Sequence, residues 1–139
     1  ITWTARTGTD HFSGVTYDNS TFVAVGYDNG VSLGTIMTSS DGTSWVDRNA
    51  TSGPLYGVTY GNSTFMAVGG SGTILTSSDG TTWTSRTSGV SGTLNGVTYA
   101  NGTFLVVGDS GTILTSTDGT SWTSRTSGTT NSLNGATSR

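Results

Sequence analysis

Three seven-residue phrases bring hydroxyl, carboxylate and indole groups together: SSDGTSW at 39–45, SSDGTTW at 77–83 and STDGTSW at 116–122. A carboxylate beside a hydroxyl is raw material for nucleophilic or acid–base chemistry, so Asp41, Asp79 and Asp118 are candidate reactive groups. Hydrolysis by paired acids needs two carboxyls within about 10 Å. Equivalent Asp residues on equivalent repeats stand a repeat's width apart, and the expectation is that they build turns with Gly42, Gly80 and Gly119. No catalytic residue, cofactor or metal site is expected.

Other reactive types are sparse. His11 is the single histidine, with no Cys or Glu in the chain to complete a constellation, and is read as a loop residue. In the stretch YDNGVSLG at 27–34, Asp28 and Asn29 have the oxygen donors to meet a cation or a sugar hydroxyl, with Tyr27 as a stacking platform. The competing expectation is a tolerated loop insertion. Asn19, Asn49, Asn62 and Asn101 each begin an N-x-[ST] acceptor for glycosylation, and three of them fall in a repeated turn.

Composition narrows the function classes. The 139 residues carry formal charge −3, every cation other than His11 is Arg, every anion is Asp, and Lys, Glu and Gln are absent. No basic face serves a phosphate backbone, so neither nucleic acid nor a membrane surface is expected as partner. No apolar run approaches the roughly 20 residues of a spanning helix. Scarce helix formers and abundant Thr, Ser, Gly and Val favour strands and tight turns, and the Lys-free, Ser/Thr-rich surface suits an extracellular protein.

The elements that position these residues follow from a repeat. Trp3, Trp45, Trp83 and Trp122 recur at spacings of 42, 38 and 39, and Gly14, Gly57, Gly96 and Gly135 at 43, 39 and 39. With small changes, each unit reads L-x-G-V-T-Y, a turn at Asn, T-F-x-x-V-G, a loop, G-T-I-L-T-S, Asp-Gly, then W-T-S-R. Asn-Gly at 101–102 is a strong two-residue hairpin signal, and Asn19-Ser20 and Asn62-Ser63 hold the same place. Runs such as TFLVVG at 103–108 are apolar on both faces and so are expected to be buried on both. The Asp-Gly pairs are expected to form type I′ hairpin turns, with Trp45, Trp83 and Trp122 opening an outer strand and packing on the next sheet. Trp and Arg, an odd number of residues apart, point to opposite faces of that strand. Arg6, Arg48, Arg86 and Arg125 then protect an open edge or pair with a neighbouring Asp.

Four short antiparallel strands in about 40 residues make an all-β chain of propeller blades. The phrase S-[ST]-D-G-T-[ST]-W resembles the Asp-box repeats of sialidase-like propellers and of photosystem II assembly factors, whose S/T-x-D-x-G-x-T-W is one residue longer. The resemblance spans essentially the whole chain and implies blade architecture, with the Asp turn on the rim away from the usual ligand face. Sialidases also clamp a carboxylate with three Arg at the propeller centre, whereas here each Arg belongs to an outer strand.

The expected organisation is a single repeat domain over 1–139: an orphan outer strand at 1–8, blades at 9–50, 51–88 and 89–128, and an orphan inner strand at 129–139. Propellers close with four to eight blades, so three blades with orphan strands are expected either to belong to a longer protein or to find a partner. The reading is a non-enzymatic, extracellular, self-assembling structural protein whose partners are copies of itself, through terminal strands, in a ring or a head-to-tail fibre. The alternative is a lectin-like module binding glycans through repeated loops, and a sialidase-like glycosidase is a third class.

Overall fold

The computed structural model describes residues 10–48 and 53–137. In chain order the strands are β1 (Asp10–Asp18), β2 (Thr21–Asp28), β3 (Gly34–Ser39), β4 (Val46–Asp47), β5 (Leu55–Gly61), β6 (Thr64–Gly69), β7 (Ile74–Ser77), β8 (Thr84–Arg86), β9 (Leu94–Ala100), β10 (Thr103–Gly108), β11 (Ile113–Ser116) and β12 (Thr123–Arg125). They form three four-stranded sheets, each a meander in chain order: β1 to β4, β5 to β8 and β9 to β12. These are blades 1, 2 and 3, and the all-β architecture expected from the repeat is the one observed.

The first hairpin of each blade follows directly from its residues. Asp18 pairs with Thr21, Gly61 with Thr64 and Ala100 with Thr103, leaving two residues in the turn. Both have positive φ: Asn19 48° and Ser20 57°, Asn62 48° and Ser63 56°, Asn101 50° and Gly102 73°. That is the type I′ requirement, whose twist matches the flanking strands. The turn residues are exposed, and Thr21 and Thr64 donate their hydroxyls back to the carbonyls of Asn19 and Asn62.

Each blade bulges at its inner strand, between Phe12 and Gly14, between Leu55 and Gly57, and opposite Val107 and Gly108. The bulge drives a carbonyl against the end of the second strand. A methyl at Gly26, Gly69 or Gly108 would lie 1.8, 2.0 or 2.3 Å from the oxygen of His11, Pro54 or Thr93. Only glycine fits such a backbone approach.

The core lies between the sheets. One cluster joins Val23, Val25 and Ile36 of blade 1 to Leu55, Phe65, Ala67 and Leu75 of blade 2, with Trp83 against it. The second joins Met66, Val68 and Ile74 of blade 2 to Leu94, Val97, Phe104, Val106 and Leu114 of blade 3, with Trp122 against it. Alternation along β6 therefore sends Phe65 and Ala67 one way and Met66 and Val68 the other. Close approach of the inner strands is set by glycine: a methyl at Gly57 would lie 3.3 Å from the Gly96 Cα, and one at Gly96 3.1 Å from the Gly135 Cα.

Residues 1–8, expected as an orphan outer strand with Trp3 and Arg6, lie outside the described residues, apart from which residues 129–137 follow blade 3. Of these, Gly135 and Ala136 lie against Gly96 of β9, and Leu133 N–H donates to the carbonyl of Gly108 at the end of β10 at 3.0 Å. They form no ladder there.

Candidate functional site

The Asp-Gly turns differ from the two-residue type I′ hairpin that the sequence suggests. Thr76 pairs with Thr84, and Thr38 with Val46, and β7 and β3 run on to Ser77 and Ser39, so residues 78–83 and 40–45 form the connecting loop. Positive φ occurs at Gly42, Gly80 and Gly119 (76°, 77° and 74°) and not at the Asp before them, whereas type I′ needs it at both. The Asp side chain supplies the missing order. Asp79 Oδ1 accepts from the backbone N–H of Thr81 at 2.7 Å and of Thr82 at 3.0 Å, and from the Ser77 hydroxyl at 3.0 Å. Ser77 Oγ in turn accepts from Gly80 N–H at 2.8 Å. Asp41 with Ser39, and Asp118 with Ser116, repeat the arrangement.

Electrostatics follow the geometry. The backbone N–H groups of Ser44 and Thr43 hold the Asp41 carboxyl well below the usual carboxylate range, and those of Ser121 and Thr120 do the same for Asp118. Those of Thr82 and Thr81 lower Asp79. Donors aimed at an ionised oxygen favour the charged form. A general acid needs the opposite shift.

Trp and Arg take opposite faces, as the spacing requires. Trp83 packs on the blade 1 core and Trp122 on that of blade 2, so the sheet each indole reaches is the preceding blade's rather than the next. Trp45 and Trp83 donate Nε1–H to the carbonyls of Gly42 and Gly80 at 3.2 and 2.9 Å. Arg86 stands opposite Ile74 and Arg125 opposite Ile113, on the face toward the following blade. Arg48, Arg86 and Arg125 each donate Nε–H to a threonine of the third strand, Thr38, Thr76 and Thr115, at 2.7, 2.8 and 2.9 Å. That cross-strand bond takes the place of the expected pairing with a turn Asp, and sequence reasoning missed it.

At the end of the blades opposite the Asp turns, Tyr27, Asp28 and Asn29 form one corner with His11. The His11 ring stacks on Tyr27 at 5.3 Å, and the Tyr56 ring meets Tyr27 edge-on at 6.0 Å. The Asn29 amide bonds His11 Nε2. Asp28 Oδ1 accepts from Gly30 N–H at 2.7 Å and its backbone N–H donates to Leu33 O at 3.0 Å, so this residue folds its own loop. The shorter loops of blades 2 and 3 are tight turns closed by Thr73 N–H to Gly70 O at 3.1 Å and Thr112 N–H to Asp109 O at 3.0 Å, with positive φ at Ser71 and Gly72 and at Ser110 and Gly111. Among the described residues, no three or more His, Asp, Cys or Glu gather as a metal site. Of the glycosylation acceptors, Asn19, Asn62 and Asn101 occupy exposed turns, and Asn49 lies outside the described residues.

The two end faces of the stack differ in character. On blade 1, Phe12, Val15, Ala24, Met37 and Trp45 line a groove of about 270 Å³, with Phe12 51% and Val15 64% exposed. On blade 3, Thr103, Thr115, Ser116, Asp118, Thr123 and Arg125 are among those lining a polar groove of about 260 Å³. Thr115 is half-buried there, whereas Thr38 and Thr76, under the next blade, are buried.

No family model matches the chain, and no curated protein matches it. The fold is that of a propeller: a solved structure described as YCF48 bound to a D1 peptide superposes with TM-score 0.65 at 16% identity, over 97% of this chain. The chain spans 45% of that protein's length.

Proposed function

We propose that this chain is a non-enzymatic, extracellular propeller segment that works as a structural element by associating with copies of itself through its blade faces, closing a ring or running on as a fibre. One observation carries this reading: Phe12, Val15, Ala24, Met37 and Trp45 line an apolar groove on the outer face of blade 1. The exposed Phe12 and Val15 of blade 1 are apolar area that association removes from water. The bound peptide of the structural neighbour fits a protein as the partner class. Support for the absence of catalysis comes from Asp41, Asp79 and Asp118, each engaged by backbone amides and held ionised. Light scattering and electron micrographs of the purified chain should show concentration-dependent rings or filaments, and a particle that stays monomeric at every concentration refutes the reading.

The lectin alternative keeps one observation of its own. Equivalent polar clefts recur on successive blades, around Ser71, Arg86 and Ser88 and around Ser110, Arg125 and Ser127, and repeated weak sites gain by avidity. Together with the Tyr27, Asp28 and Asn29 corner they are the places to map if a glycan array gives a signal that free sugar competes away. A silent array leaves the structural reading alone.

A further inference from the structure

The two end faces are the halves of a joint that the molecule already contains twice. In each internal joint the earlier blade offers three aliphatic side chains, Val23, Val25 and Ile36 or Met66, Val68 and Ile74. The later blade brings its indole and lays its turn glycine on the earlier sheet. A methyl at Gly80 would lie 3.5 Å from Val23 and 3.6 Å from Thr21 and Thr38, and one at Gly119 3.1 Å from Met66. Blade 3 repeats the first half on its outer face with Leu105, Val107 and Ile113 in register, beside the groove at Thr103 and Thr115. Blade 1 repeats the second half with Trp45 and its apolar groove, and Gly42 is only half-buried where Gly80 and Gly119 are buried.

Charge favours a second copy as the occupant. Asp47 stands opposite Met37 on the outer face of blade 1, where blades 2 and 3 have Ser85 and Ser124. Arg125 stands on the outer face of blade 3. Seating blade 1 of one copy on blade 3 of another brings Asp47 toward Arg125.

One segment already sits on that seat. Residues 133–137, LNGAT, repeat LNGVT at 94–98, and Gly135 meets Gly96 as Gly96 meets Gly57. Leu133 N–H donates to Gly108 O at 3.0 Å, Asn95 Nδ2–H to Leu133 O at 3.1 Å, and the Ser132 hydroxyl to Asp109 Oδ1 at 3.1 Å. The segment is a copy of an inner strand, in an inner strand's place, and among the described residues it joins no ladder.

We propose that residues 129–137 hold the seat that β1 of a second copy takes when its blade 1 joins blade 3, so that assembly requires their release. This rests on the self-association reading and gives it a polarity and a brake. In the full chain, Leu133→Pro removes the N–H that bonds Gly108 O, and Asn95→Ala removes the donor to Leu133 O. Measured by sedimentation, with circular dichroism checking that the sheets persist, each variant should lower the dissociation constant of self-association by roughly 3- to 10-fold. Leu105→Asp, on the seat itself, should abolish association. If the native chain associates and the first two variants leave the constant unchanged or raise it, the segment is neutral or donated to the partner, and the brake is overturned. Association that survives Leu105→Asp overturns the joint. A native chain and variants that never associate refute the self-association reading itself.

Discussion

At the scale of single residues, the repeated Asp is a backbone organiser. Its oxygen collects two amides and a serine hydroxyl in each turn, which depresses the pKa of Asp41, Asp79 and Asp118 below the value of about 4 expected in the unfolded chain. A depressed folded-state pKa contributes stability that is fully present above the unfolded value and is lost as pH falls through the folded one. Acid unfolding should therefore steepen below about pH 4, and Asp79→Asn should lower the melting temperature at neutral pH while flattening that acid limb. An unchanged pH profile for the variant contradicts the assignment. The Asn turns carry a different load. Ser63 is held at φ 56°, a left-handed conformation that disfavours side chains by about 1–2 kcal/mol, whereas blade 3 has Gly102 at this place. Ser63→Gly should stabilise by roughly 0.5–1 kcal/mol in denaturant titration, because relieved strain exceeds the added chain entropy.

At the scale of elements, the middle strands hold the molecule together, and their double-sided apolar pattern made them legible in the sequence. Phe65 and Phe104 are fully buried, whereas Phe12 is half exposed. Phe65→Ala should cost about 3–5 kcal/mol of stability and Phe12→Ala under about 1 kcal/mol, with thermal unfolding as the measurement. Gly61 tests the packing of one blade on the next: a methyl there would lie 2.1 Å from the Tyr99 ring, so Gly61→Ala should destabilise while Gly128→Ala, in open space but at φ 78°, reports conformational strain alone. The sequence showed strands, hairpins and the opposite facing of Trp and Arg because those follow from local period and turn chemistry. It did not show that the Asp turn is a long loop, since Asp-Gly reads alike in both, nor the Arg to Thr bonds, which need the register of two strands. The corner of His11, Tyr27 and Asn29 was half visible: Tyr27 and Asn29 stood out as a loop insertion, but Tyr56 comes from another blade and no local signal joins it to them.

At the scale of the whole molecule, a stack of identical joints has a direction, and that direction is written in its charges. The outer strands β8 and β12 end in Arg86 and Arg125, on the face toward the following blade, and Arg48 comes directly after β4. The position before each Arg faces the preceding blade and is Ser85 or Ser124 inside the stack, but Asp47 at its outer face. On the proposed self-association, a ring closed by two copies or a fibre of many would repeat one heterologous contact that brings Asp47 of one chain toward Arg125 of another. An exposed ion pair contributes about 0.2–1 kcal/mol, and reversing one charge replaces that attraction by a comparable repulsion. Arg125→Asp alone should therefore weaken self-association by about 2- to 30-fold at low salt, and so should Asp47→Arg alone. The two reversals combined in one chain restore an opposite pair at every joint and should recover most of the native affinity. Added salt should narrow the gap between single and double variants, since the Debye length falls to about 3 Å at 1 M. Recovery in the double variant that vanishes with salt supports the joint between blade 1 and blade 3, whereas additive losses with no recovery place Asp47 and Arg125 in separate surroundings and refute it.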